Sequence, residues 1–256
     1  MRIVANHPVL LALIMVIVLG VATWIGQHLA SGDETDVPLG PMQGAVLVLA
    51  GLMLGFSFSM ALARYEHRRS LVINEANAIG TTYLRAGMLA PNLRDEARTL
   101  LRRYVDARLA YLRATSEKRR LAGGVAEARL QDALWRNAEQ AAAAAPTPVT
   151  VGFVTSLNQM IDIEAERVAT RHDRLPGAVW LVLIVVTVGA SLFTGMLMRG
   201  RHRVVLAVLP VMLAVILGLI ADLDTPRTGL LTVSQYSMER LAAGLKSGGI
   251  PLPPGQ

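Results

Sequence analysis

The residues most able to do chemistry gather along one predicted helix. At 100° per residue, Arg64, Arg68, Leu71, Glu75, Ile79 and Thr82 share a face, with Tyr65, Val72, Ala76 and Tyr83 beside them. A face that mixes arginine, glutamate and apolar side chains fits neither a solvated helix nor a plain core. It predicts buried ion pairs that fix helix register, or a polar cavity that contacts a ligand or ion near a membrane boundary. Arg68 and Glu75 stand two turns apart, so each reaches a partner on another helix more easily than it reaches the other. Earlier on the same stretch, Val48, Leu52 and Phe56 fall at i, i+4 and i+8 and make one vertical row. Repeated around a symmetry axis, such a row forms a narrow apolar ring that gates by dewetting, and the same spacing also serves ordinary helix packing. Near the C-terminus Asp222 and Asp224 open a turn-rich segment, as caps of that turn or as part of an oxygen-ligand set.

Other chemistries lack their parts. With no cysteine, the chain has no disulfide, no cysteine-ligated metal and no thiol nucleophile. Its five histidines have no i, i+4 partner and no metal-ligand spacing. Asp162, Glu164 and Glu166 alternate at i+2 and so do not share a helix face. No phosphate-cradling glycine motif occurs. The chain is therefore read as a non-enzyme with no cofactor and no metal. The formal charge of +6 comes from an arginine-rich composition without interleaved aromatics, which argues against nucleic acid.

The elements that must position these residues are helices, and four of them are long and greasy. Hydrophobic residues make up 53% of the chain and charged ones 17%, where soluble domains carry about 25%. Mean hydropathy is +0.44. Uncharged stretches at 8–27, 40–63, 177–198 and 204–221 each approach the roughly 20 residues needed to cross a bilayer, and only helices satisfy their own backbone in lipid. Four transmembrane helices are expected, with membrane lipid as a partner. The first is read as retained, because His28-Leu29-Ala30 is a poor signal-cleavage site. Pro210 is expected to kink the fourth. No span has a charged residue at its centre, which favours passive conduction over proton-coupled transport.

The loop 27–43 holds Asp33, Glu34 and Asp36 and no Lys or Arg, whereas the block 64–175 holds 18 Lys plus Arg against 13 Asp plus Glu. The positive-inside rule then puts that block and both termini in the cytoplasm of an inner-membrane protein. The arginine-containing hairpin 199–203 runs against this count and is outweighed by the larger block. The second span is expected to continue as one helix to about Leu89. Asn92 is a candidate cap for a helix to about Leu121, Gly123-Gly124 a break, and Val125 to Ala145 a third helix. Thr147-Pro148 then starts a helix to about Arg174. Ser234 can cap a short amphipathic helix to Leu245, and the last ten residues read as a disordered tail. With no strand pattern, the fold class is all-α: a polytopic membrane protein with a cytoplasmic helical bundle inserted between spans two and three.

Leu54-Gly55-Phe56, seven residues, then Arg64-Tyr65 resembles the second-helix signature of bestrophins. The run from Arg64-Tyr65-Glu66-His67-Arg68-Arg69 through Asn74-Glu75-Ala76-Asn77 to Arg85 is closer still to the bacterial bestrophin-like family. Members are similar in the order of elements and in an Asp-Leu-Asp-x-Pro-x-x-Gly segment, here Asp222 to Gly229. The resemblance implies a single bestrophin-like membrane domain over 1–256 that forms a homo-oligomer, pentameric as in bestrophins. It implies a passive channel for small anions, with Val48, Leu52 and Phe56 as the pore neck, Arg64 and Arg68 at the cytoplasmic mouth and Asn74 and Asn77 as motif polar residues. Val48 and Leu52 are smaller than the aromatic-rich neck usual there. The family's calcium control uses an acidic cluster after the fourth helix, and two carboxylates fall short of six to eight oxygen ligands. The alternative function is a non-conducting scaffold or sensor whose cytoplasmic bundle binds a partner.

Overall fold

The computed structural model describes residues 7–29, 39–170, 173–197, 203–225 and 229–247. Within them the chain forms eight α-helices and no strand: α1 Pro8–Leu29, α2 Leu39–Ala86, α3 Pro91–Arg113, α4 Glu117–Ala144, α5 Pro148–Ala169, α6 Gly177–Leu197, α7 Arg203–Asp224 and α8 Tyr236–Lys246. Four of them, α1, α2, α6 and α7, are long and apolar enough to cross a membrane. The chain divides into two compact units, 1–67 with 173–233 and 68–172 with 234–256.

The first unit holds α1, the first half of α2, α6 and α7. Helix α1 packs on α6 and α7, and those two pack on each other. The core is formed by Leu19, Leu54, Leu183, Ala214, Leu217 and Ile220 among others. The outward faces are as apolar as the core: Leu13, Ile17 and Val21 on α1 and Val185 on α6 are exposed. Exposed contiguous apolar helix faces are costly in water and cost nothing against hydrocarbon, so this unit is built for a bilayer. The α1–α6 contact is close because Gly26 lies against the α6 backbone at Leu192 and Gly195 against the α1 backbone at Thr23. Beside it, Gln43 of α2 donates to the Thr194 hydroxyl at 3.0 Å, a polar contact of the kind that ties helices together in lipid.

The second unit is a helical bundle made of the second half of α2, α3, α4, α5 and α8. It encloses Ile79, Leu101, Tyr104, Leu134, Phe153 and Leu157. As expected, α2 continues past its apolar part without a break. Thr147 caps α5 through a reciprocal pair with Thr150, and Pro148 fills its first turn. Helix α5 ends at Ala169, short of Arg174, and residues 173–176 are not helical. Ser234 accepts from the Tyr236 backbone N–H at the start of α8, with Gln235 as the flanking residue.

Two expected boundaries are corrected. Helix α3 starts at Pro91 after Ala90, so Asn92 lies inside the first turn instead of capping it. The break between α3 and α4 falls at 114–116, where Ser116 accepts from Arg119 N and opens α4, and Gly123-Gly124 lies within α4. A Cβ at Gly123 would come to 3.1 Å from the Tyr111 Cβ, so glycine there admits a close crossing of α3 and α4. That contact outweighs a helix-propensity penalty of about 1 kcal/mol. The acidic loop at 33–36, the hairpin residues 199–202 and the tail 248–256 lie outside the described residues.

Candidate functional site

In the first unit, α2 turns one side to the core and leaves the other bare. Ala50, Leu54 and Ala61 are buried against the neighbouring helices. The row Val48, Leu52, Phe56 faces away, exposed at 73%, 51% and 59%. Gly51 and Gly55 lie on the same side, with open space where a Cβ would stand. Two turns beyond Phe56, Arg64 is half-buried. The row is thus a continuous, unpartnered apolar surface in a single copy of the chain.

In the second unit the inward face of α2 carries a buried ionic cluster. The Glu75 carboxylate is fully enclosed and accepts from two arginines of other helices: from Arg108 of α3 at 2.7 Å (Nε) and 3.4 Å (Nη2), and from Arg167 Nη1 of α5. Arg108, also fully enclosed, donates through Nη1 to Glu127 of α4 at 3.0 Å and to Glu164 of α5 at 3.1 Å. The Tyr111 ring lies 5.7 Å from its guanidinium carbon. Arg167 Nη2 reaches Gln235, the residue before α8, at 3.3 Å. One planar guanidinium therefore meets three carboxylates, which its five fixed donors suit and a lysine would not. Arg68 is buried on the same face of α2.

The motif asparagines go the other way: the side chains of Asn74 and Asn77 are exposed and make no hydrogen bond among the described residues. Asp222 and Asp224 end α7, both buried. The Asp222 carboxylate accepts from the backbone N–H groups of Leu230 and Leu231 at 2.8 and 2.9 Å. A Cβ on Gly229 would collide with that carboxylate, which explains a glycine there. Asp224 accepts from Leu175 N at 2.9 Å, just before α6. Among the described residues no group of three His, Cys, Asp or Glu side chains has metal-binding geometry.

Arg108, Glu127, Glu164 and Arg167 did not stand out as site residues in the sequence. A signal existed. Arg108 follows Leu101, Tyr104 and Val105 at i+7, i+4 and i+3, which puts a charge in the apolar row of α3, and Arg167 follows Phe153, Leu157 and Met160 at i+14, i+10 and i+7, on the buried side of α5. A charged residue within a buried row needs a buried partner.

The cluster borders Tyr104, whose hydroxyl accepts from Gln131 at 3.4 Å. Burial is the main cause that pushes its phenol up from 10 to about 12; the Arg108 guanidinium pulls it down, and the Glu164 and Glu127 carboxylates add to the rise. A folded-state pKa above the unfolded value favours the protonated fold. That stability is fully present below pH 10 and is lost as pH climbs through about 12. Tyr104→Phe is expected to remove this loss, about 2–3 kcal/mol between the two limits, at little cost near neutrality. Melting temperatures from pH 8 to pH 12 test it; equal slopes for variant and wild type would refute the assignment.

A family model described as a Bestrophin-like domain matches residues 9–238. No curated protein and no solved structure matches the chain.

Proposed function

The chain belongs to the bestrophin-like family and is a multi-pass membrane protein, and on that premise we propose that copies of it assemble around a shared axis into a passive channel for small anions. The observation that carries the reading is the bare apolar row of α2. Val48, Leu52 and Phe56 point away from their own core, and glycines at 51 and 55 leave the same side of the helix slim. Five such helices facing one axis, the number that bestrophins use, would make a hydrophobic neck about 12 Å long that passes ions only when wetted. Arg64 follows Phe56 by eight residues, about 12 Å along the helix and about 80° around it toward the side of Arg68, and from there its half-buried charge raises local anion concentration near the cytoplasmic mouth. Sidedness follows from the excess of basic residues in 64–175, which puts the bundle and both termini inside. The buried Glu75 cluster serves as scaffold in this reading.

Purified protein in liposomes tests it through chloride, nitrate and iodide flux. Phe56→Ala is expected to raise flux several-fold by widening the neck. Arg64→Glu is expected to cut anion-over-cation preference about tenfold while the oligomer elutes unchanged. Wild type that passes none of these anions under any voltage, calcium or pH condition would leave the non-conducting scaffold as the function.

A further inference from the structure

Within the helical bundle, Arg94, Arg108, Arg113 and Arg167 each meet a carboxylate. Arg98 and Arg102, one turn apart on α3, form no ion pair among the described residues. Both lie close to the buried Tyr83 ring of α2, with guanidinium carbons 4.9 and 5.5 Å from its centroid. Arg102 directs its donors at neutral oxygens: Nη2 at the Tyr83 hydroxyl at 2.6 Å, and Nε at the Leu245 carbonyl near the end of α8 at 3.1 Å. Arg98 donates to nothing among the described residues, and its Nε is shut off from solvent without an acceptor. Its guanidinium is nonetheless held in place, between the Tyr83 ring and Gly87 in the turn after α2, where a Cβ would collide with Nη2. The three acids of α3 have other partners. Asp95 is held by Arg94 at 2.9 Å, Glu96 accepts from Asn137 at 2.9 Å, and Asp106 is held by Lys246 at 3.1 Å.

We propose that Arg98 and Arg102 form a binding site for a phosphate dianion, carried either by a small soluble phosphate ester or by a lipid headgroup. An arginine on a helix surface is ordinarily a mobile, hydrated side chain that snorkels into water. Arg98 differs: a ring, a glycine and a buried Nε fix its position, and a buried donor without an acceptor is costly. Two cations one turn apart also repel each other, and no carboxylate of the chain offsets them. A dianion cancels both charges, whereas a halide or a carboxylate cancels one. The guanidinium fork offers paired N–H donors that match two oxygens of a phosphate, which sets oxyanions above spherical ions. Because Arg102 already reaches α8 and both arginines lie against α2, an anion held between them would tighten the contact of three helices. The site is complete in one copy of the chain and stands apart from the neck row and from the Glu75 cluster.

Melting midpoints of the full chain in detergent test the site, because a ligand of the folded state raises them. Glycerol phosphate replaces chloride at fixed ionic strength and about pH 8, where a phosphate ester is a full dianion. Wild type is expected to melt higher, and to need at least about tenfold more acetate for the same shift. Arg98→Gln is expected to melt with wild type in chloride, since the guanidinium makes no hydrogen bond there, and to need about tenfold more glycerol phosphate for half of the shift. Arg98→Lys, which keeps the charge without the fork, is expected to fall between them, and it carries the comparison should Arg98→Gln not fold. Arg129→Gln, at an exposed position on α4, is expected to respond as wild type does. Short-chain phosphatidate, with phosphatidylcholine of the same chains as blank, separates the sources. A half-shift about tenfold below that of glycerol phosphate, lost in Arg98→Gln, supports the site with a lipid headgroup as its ligand; equal half-shifts support it with a soluble ester. A wild type indifferent to both phosphates, one that acetate shifts equally, or an Arg98→Gln with the wild-type response overturns the inference. So does an Arg129→Gln as impaired as Arg98→Gln, the mark of general charge screening. Flux in liposomes has no bearing on these outcomes, so the site and the channel reading stand or fall separately.

Discussion

Arg108→Met is expected to destabilise the protein by about 3–5 kcal/mol, the cost of breaking a buried ion pair from one side. The guanidinium is the shared cation of its bundle. It is wholly enclosed and joins Glu75 of α2, Glu127 of α4 and Glu164 of α5 to α3, so one side chain ties four helices of its bundle. Methionine fills similar volume, but it removes the cation that Glu75, Glu127 and Glu164 share and leaves Arg167, on Glu75, to offset their crowded charge. Arg108→Lys is expected to recover less than half of the loss, because a point charge on a flexible stem cannot meet three carboxylates at fixed angles. Combining Arg108→Met with Glu75→Gln should cost less than the sum of the single changes, since each alone strands charge that the other removes. Thermal unfolding of the full chain in detergent, followed by helix signal, measures all four variants. A shift within about 0.5 kcal/mol of wild type for Arg108→Met would show that the cluster carries no stability.

What the sequence could say about this fold tracks how local each determinant is. The apolar stretches announced α1, α6 and α7 to within a few residues, since a span's length is a property of the stretch itself. The uninterrupted course of α2 and the start of α5 at Thr147-Pro148 were legible for the same reason. The α3–α4 boundary was not. Gly123-Gly124 looked like a break, and its place inside α4 depends on Tyr111 of another helix, a contact no local pattern encodes. The site divides likewise. Glu75 drew notice because it shares a helix face with arginines and apolar residues. Its partners lie 33 and 92 residues away, on helices where several arginines look alike and only packing decides which is enclosed. The outward placement of Val48, Leu52 and Phe56 was beyond reach too, because the i, i+4, i+8 spacing serves a buried row as well as a bare one.

Glycine supplies the other large effect, and its sign depends on the helix. Gly26→Ala and Gly195→Ala are each expected to destabilise the membrane unit, and the pair together to abolish the folded peak. Each substitution would place a methyl inside van der Waals contact of a backbone carbonyl oxygen, that of Leu192 for Gly26 and that of Thr23 for Gly195. The contact is reciprocal, and backbone cannot swing aside as a side chain can, so α1 and α6 must separate along their crossing. Alanine gains roughly 0.5–1 kcal/mol of helix propensity over glycine, whereas overpacking costs about 1–3 kcal/mol before the lost helix–helix attraction is added. Between membrane helices that attraction is mostly close packing, so separation removes the main force that holds them. Gly51→Ala and Gly55→Ala meet nothing within 4 Å in the single chain, so there the propensity gain stands alone. Fluorescence-detected size exclusion after heating separates the two classes. Gly195→Ala that melts with wild type would remove the close α1–α6 crossing from the account. Damage from Gly51→Ala or Gly55→Ala confined to the oligomer peak would place those glycines where copies of α2 approach one another.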